Sequence, residues 1–222
     1  MNDAPGFFGK VQTQGDFVSR RLPAEFLGPW DACLQRGMLH ARAVFGAQWL
    51  PVYLTAPVWC FSLGPQVCGA SAWAGVVLPG VDRVGRHFPF TIAAAVDDIG
   101  SWLRGAPEWY DRVKEIALST LAEDFQLDRF DERLAELPMK FEPVAWRFDV
   151  AGDANTRLDF ADWISSAAVP GSSVWWSEGS AQMPASVFSC SGLIDAQRFA
   201  RLFDVSADSS HVDMQLIVRS SG

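Results

Sequence analysis

The sequence predicts an α+β fold: a mainly antiparallel sheet covered by amphipathic helices, in a single compact domain spanning residues 1–222. Three observations carry that prediction. Strand-like runs gather in the first half, helical stretches follow in the middle, and further strands with one helix come last, unlike the strict strand–helix alternation of a parallel sheet. Two of the runs, AWAGVVL at 72–78 and FTIAAAV at 90–96, are joined by fewer than a dozen residues, too few for a parallel crossover. Hydrophobic residues make up 49% of the chain, with ten Trp and sixteen Phe, enough apolar surface to offset the conformational entropy of ordering it.

Taken in order, PGFFGKVQTQGDFV at 5–18 reads as a short strand followed by a turn at Gln14-Gly15-Asp16. Its Gly9-Lys10 pair is followed by Val11 and lacks the earlier glycine of a phosphate loop. Residues 23–45 predict a helix in two pieces, interrupted at Gly28-Pro29, with Leu34, Met38, Ala41 and Phe45 on one stripe and Gly46 as the stop. Two prolines in 50–63 divide that stretch into a short extended piece and a strand from Val58 to Leu63. Alternation there sets Trp59, Phe61 and Leu63 on one sheet face. His40 has no ligand-spaced partner and reads as structural.

The clearest helix lies at 107–124, with Trp109, Val113, Ile116, Ala117, Thr120 and Leu121 tracing one face. A shorter one follows at 128–137 and ends at Pro138. A strand is expected at 145–150, an amphipathic helix at 158–168, and a strand at 173–178 (SVWWSE) whose adjacent Trp175 and Trp176 point to opposite faces. SVFSCS at 186–191 is a further strand, Asp195 caps a helix running to Phe203, and 214–219 adds a last edge strand.

The least generic stretch is LPGVDRVGRHFPF at 78–90, where Asp82, Arg83, Arg86 and His87 sit between two strongly apolar runs. Gly80 and Gly85 permit backbone angles other residues reach only with strain. Charges in a strand connection often only satisfy the backbone and each other, and surface ion pairs are worth about 0–1 kcal/mol; the same residues also suit a fixed, functional loop. Asp16 and Arg86 are the pair expected to lock the first turn against this loop by a carboxylate–guanidinium contact, with Gly15 and Gly85 as structural turn positions.

Composition excludes several functions. A net charge of −8 and a pI near 4.8 repel a phosphate backbone, so no nucleic-acid partner is expected. No run approaches the roughly eighteen apolar residues of a spanning helix, and the N-terminus lacks a basic, apolar leader; a soluble cytoplasmic protein without membrane insertion is expected. Cys33, Cys60, Cys68 and Cys190 form no CxxC pair and read as buried free thiols, with no metal or cofactor. Nucleophile elbows, HExxH and dinucleotide loops are absent. Cys60 or Cys190 with His87 are the thiol–imidazole candidates, in a chain expected to have no catalytic residues.

Together GFFGKVQTQGDFV, PWDACLQRG, LTAPVWCF, WAGVVLPGVDRVGRHFPFT and SVWW resemble the TagF family of bacterial type VI secretion accessory proteins, over most of the chain and in its stand-alone form. The resemblance implies a non-enzymatic negative regulator acting after translation, which binds and sequesters a forkhead-associated scaffold protein in the setting of a threonine kinase and phosphatase pair. In that reading Arg83 and Arg86 contact acidic or phosphorylated groups, and an exposed Trp175 or Trp176 anchors the interface. An enzyme with an unrecognised site, a hydrolase or transferase, and a structural component of the apparatus are the alternatives.

Overall fold

The computed structural model describes residues 4–139, 149–150, 169–204 and 214–217. Gly6–Gly9 (β1) and Val18–Arg20 (β2) form an antiparallel pair, followed by a 22-residue helix, Ala24–Phe45 (α1), and a short one, Trp49–Leu54 (α2). Trp59–Leu63 (β3), Ala72–Leu78 (β4) and Phe90–Val96 (β5) build the sheet centre. Three helices follow, Ile99–Gly105 (α3), Pro107–Leu118 (α4) and Leu127–Ala135 (α5). Asp149–Val150 (β6), Ser172–Ser177 (β7), Ser186–Ser191 (β8), Ala196–Ala200 (α6) and Met214–Ile217 (β9) complete the described elements. The described strands form one sheet of nine in the order β2-β1-β5-β4-β3-β7-β8-β9-β6, every pairing antiparallel.

Helices cover both faces. On one, Ala72, Ala74, Val76 and Leu78 of β4 pack with Trp102, Trp109, Val113 and Phe130 of α3, α4 and α5. On the other, Trp59, Phe61 and Leu63 of β3 pack with Phe26, Trp30, Leu34, Tyr53 and Phe199 of α1, α2 and α6. Two-faced burial explains why β4 and β5 read as continuous apolar runs although the sheet is antiparallel: every residue of β4 and all of β5 but Ala95 are buried. Trp175 and Trp176 point to opposite faces as the alternation requires, and Trp175 stacks on Trp30 with ring centroids 5.7 Å apart. Such aromatic pairs add about 0.5–1.5 kcal/mol beyond the area they bury. Indole N–H groups in this core also find acceptors: Trp59 donates to Leu202 O at 2.8 Å and Trp30 to Thr91 Oγ1 at 3.0 Å.

Several elements differ from expectation. α1 runs unbroken through Pro29. Gly28 before it has no Cβ to clash with the proline ring, and the buried stripe of Phe26, Trp30, Cys33 and Leu34 continues across the proline, so packing outweighs the lost hydrogen bond. Residues 49–54 are helical rather than extended because Pro51 falls in the first turn, where its missing N–H has no partner to lose. α4 tightens into a 3-10 turn at Ser119–Leu121, which rotates Leu121 out of the apolar stripe and leaves it exposed. α3, capped by Asp98 Oδ2 accepting from Ser101 N at 2.7 Å, was not anticipated. The helix after Asp195 is shorter than expected, and β9 lies between β8 and β6, so it is no edge strand. The helix expected at 158–168 and most of the strand at 145–150 lie outside the described residues.

Candidate functional site

The segment between β4 and β5 is a tight hairpin built around one carboxylate. Val81 and His87 pair across it, Asp82 N donates to Arg86 O at 3.0 Å, and Gly85 N donates to Asp82 O at 3.0 Å. Asp82 turns its side chain inward. Oδ1 accepts from Val84 N at 3.0 Å and Arg86 N at 2.9 Å, while Oδ2 accepts from Arg86 Nε at 2.6 Å and Lys10 Nζ at 2.7 Å. Burial pushes this carboxyl up, but the Lys10 ammonium, the two N–H groups and the Arg86 guanidinium outweigh it and hold the group well below the usual carboxylate range. Gly85 adopts φ +82°, a left-handed angle that closes the turn.

The hairpin is fastened at its base and its side. At the base the Tyr53 hydroxyl donates to Gly80 O at 2.9 Å and accepts from Gly80 N at 2.8 Å. A Cβ on Gly80 would come within 2.5 Å of the carbonyl oxygens of Lys10 and Phe88, so only glycine fits between these two backbone segments. At the side Arg83 N donates to Gln14 O at 2.9 Å, and Arg86 Nη2 donates to Gly15 O. The first turn is therefore locked to the hairpin, but not as expected. Arg86 is taken by Asp82, four residues away, and by the Gly15 carbonyl, whereas Asp16 Oδ1 accepts from its neighbour Phe17 N at 2.8 Å.

What remains outward is Arg83, whose guanidinium lies beside Gly15, the half-exposed Arg86, and Val84, 65% exposed at the tip. Beneath the hairpin base a cavity of about 380 Å³ opens at the end of the sheet. Val58, Cys60, Leu78 and Trp176 form its walls, and Lys114 crosses its rim, donating to Glu178 Oε1 at 2.6 Å and lying 2.9 Å from Asp111 Oδ1.

The family model described as the TagF N-terminal domain, Type VI secretion system-associated, matches residues 6–137, more than half of the sequence and all of the hairpin. The chain belongs to the TagF family. It is also similar to a solved structure, PA0076 from Pseudomonas aeruginosa PAO1 at 2.05 Å resolution, with 35% identity and a TM-score of 0.78 over 99% of each chain. No curated protein matches. TagF is thus a type VI secretion-associated family, and its α+β architecture extends here beyond the matched segment through β7, which pairs with β3.

Within this TagF fold Trp175 and Trp176 cannot serve as exposed anchors. They are 0% and 5% exposed, one packed in each core, because a strand covered on both faces buries both members of an adjacent pair. The thiol–imidazole candidates are not assembled either. Cys190 Sγ contacts Ser173 Oγ at 3.2 Å, Cys60 faces the α4 side, and His87 packs edge-on against Tyr53 at 5.7 Å. Burial pushes Cys60 up to about 12 and pushes Cys190 up as well, so both thiols stay protonated. Among the described residues no three His, Cys, Asp or Glu side chains group as metal ligands, and no helix is long and apolar enough to cross a membrane.

Two residues of the site escaped the sequence reading. Lys10 stands in the sequence only as the lysine of an incomplete phosphate-loop pattern, and no local feature points to its pairing with Asp82. Tyr53 is one of two tyrosines in the chain, a rarity that marks no role by itself.

Proposed function

We propose that this TagF chain restrains type VI secretion after translation by binding a forkhead-associated scaffold protein and sequestering it from assembly, without chemistry on its partner. The observation that carries the reading is the outward Arg83 on a hairpin whose shape is set beforehand by the buried Asp82. A loop ordered in the free protein loses little entropy on docking. Its guanidinium suits bidentate contact with a carboxylate or phosphate, and a threonine kinase and phosphatase acting in the same system supply and remove such groups. Arg86 contributes charge at the same edge while holding the loop. Sequestration then follows mass action, the free scaffold falling as the complex forms, in a cytoplasmic setting where both partners meet.

Affinity purification of the tagged protein from cells expressing the secretion system tests the proposal, with Arg83→Ala alongside. The forkhead-associated protein is expected with wild type and depleted with the variant. Recovery of no secretion-system protein with wild type overturns the reading.

A further inference from the structure

The cavity under the hairpin base is apolar within and walled by the sheet centre. Cys60, Leu78 and Trp176 of β3, β4 and β7 are buried along it, and Leu54, Leu118 and Leu121 stand half exposed where it opens. The Trp176 ring is held edge-on to Tyr110 with centroids 4.8 Å apart, which fixes one aromatic wall. At about 380 Å³ the cavity falls in the range of roughly 300–1,000 Å³ of small-molecule sites.

Its polar groups leave little for a charged guest. Lys114 and Glu178 are the charged residues of the lining and pair with each other at 2.6 Å, so the lining carries no net charge. Ser177 Oγ donates to Val58 O at 2.9 Å and accepts from Gly179 N at 3.1 Å, and Gln12 Nε2 donates to Leu121 O at 3.3 Å, so these groups are taken up within the wall. A charged guest would leave water without a free countercharge, whereas a neutral one meets no such cost. One donor remains. An ammonium has three N–H groups; Glu178 takes one, and Asp111, outside the lining, takes a second at 2.9 Å. Burial pushes the Lys114 ammonium down, but its hydrogen bond to Glu178 outweighs this and raises it overall, so the donor is charged at neutral pH.

We propose that this cavity binds a neutral, mainly apolar small molecule that carries one hydrogen-bond acceptor, its hydrocarbon body against Cys60, Leu78 and Trp176 and its acceptor, a carbonyl or ether oxygen, on the Lys114 ammonium. The ion pair ties the end of β7 to α4 across the rim, which favours a compact guest over a continuous chain. Pro79, Gly80 and Val81 line the same cavity, so a bound guest also adds contacts to the base of the hairpin. The inference does not use the Arg83 tip and stands without the scaffold reading.

Fluorescence titration of the full chain with prodan tests it. Prodan is a neutral naphthalene ketone whose emission moves to the blue in apolar surroundings; its ketone-free parent and a naphthalene sulfonate of similar size are the comparisons. Leu118→Trp narrows the mouth from an exposed position where the fold tolerates change. Val58→Phe fills the cavity from a half-buried one, and the double variant K114M/E178Q removes the donor while keeping the lining neutral. Saturable binding of prodan at one site is expected, with a raised thermal midpoint, weakened about tenfold or more by Leu118→Trp and by Val58→Phe. The ketone-free parent is expected to bind wild type about tenfold more weakly, as for the loss of a charged hydrogen bond, and to match prodan in K114M/E178Q. No saturable binding, or binding that neither Leu118→Trp nor Val58→Phe weakens, overturns the proposal. Tighter binding of the sulfonate overturns it in favour of an anionic ligand, and equal binding of the ketone-free parent to wild type overturns the role of Lys114. Dimers of the free protein that Leu118→Trp abolishes overturn it in favour of a second copy seated on the mouth.

Discussion

Lys10 Nζ lies 2.7 Å from Asp82 Oδ2 across 72 residues of sequence, with the two side chains 7% and 0% exposed. The pair joins the end of β1 to the hairpin between β4 and β5, and the Phe17 ring lies 5.1 Å from the ammonium. Without the ammonium the buried carboxylate keeps Arg86 Nε and the Val84 and Arg86 N–H groups, so the loss is that of one charged hydrogen bond, about 1.5–3 kcal/mol. Lys10→Met is expected to lower the urea unfolding free energy by that order. The double variant K10M/D82N should lose less than the sum of the single variants, with a coupling of about 0.5–3 kcal/mol.

Acid should unlock the hairpin through Asp82. Its carboxyl is held below its unfolded value, so the stability it contributes is fully present above about pH 4 and is lost as pH falls from there toward the folded value. Urea midpoints measured from neutral to acid pH should therefore show a constant gap between wild type and Asp82→Asn above about pH 4, closing below it. A gap that widens in acid would contradict the assignment.

The Tyr53 hydroxyl both donates to and accepts from Gly80 in a buried position. Tyr53→Phe leaves the Gly80 N–H and carbonyl without that partner, and a loss of about 1–3 kcal/mol is expected in thermal or urea unfolding. A neutral substitution would show that the hairpin base is held by the strands alone.

All four cysteines are buried and free. Burial pushes Cys33, Cys60 and Cys68 up to about 12 and raises Cys190, leaving almost no thiolate at pH 8. A chromogenic disulfide reagent should titrate none of them in the native protein and all four in denaturant. Rapid native labelling of Cys60 would mean that the cavity wall opens on the time scale of the assay.

The sheet was legible because β4 and β5 are covered on both faces: AWAGVVL and FTIAAAV had to be continuous, and the short connection between them fixed their antiparallel sense. The face assignments of Trp59, Phe61 and Leu63 followed from strand alternation alone. What could not be read was decided by contacts remote in sequence. Pro29 breaks a helix locally, yet the stripe around Trp30 docks on β3 and β7 and carries α1 through it. Residue type made Asp16 and Asp82 equally good partners for Arg86, and only the hairpin geometry gave the guanidinium to Asp82. Nothing local announces that Lys10 ends beside that carboxylate, or that Trp175 and Trp176 both find helices above them.

The central claim is that the outward guanidinium of a preset hairpin binds the forkhead-associated scaffold. Titration calorimetry of purified scaffold into the wild-type protein and into Arg83→Ala tests it most directly, because Arg83 makes its backbone bond to Gln14 O whatever its side chain and the variant should keep the wild-type unfolding midpoint. The account predicts saturable wild-type binding, weakened about tenfold or more in the variant as for the loss of a charge-assisted contact. Wild-type affinity in the folded variant, or no binding by either protein, would contradict it.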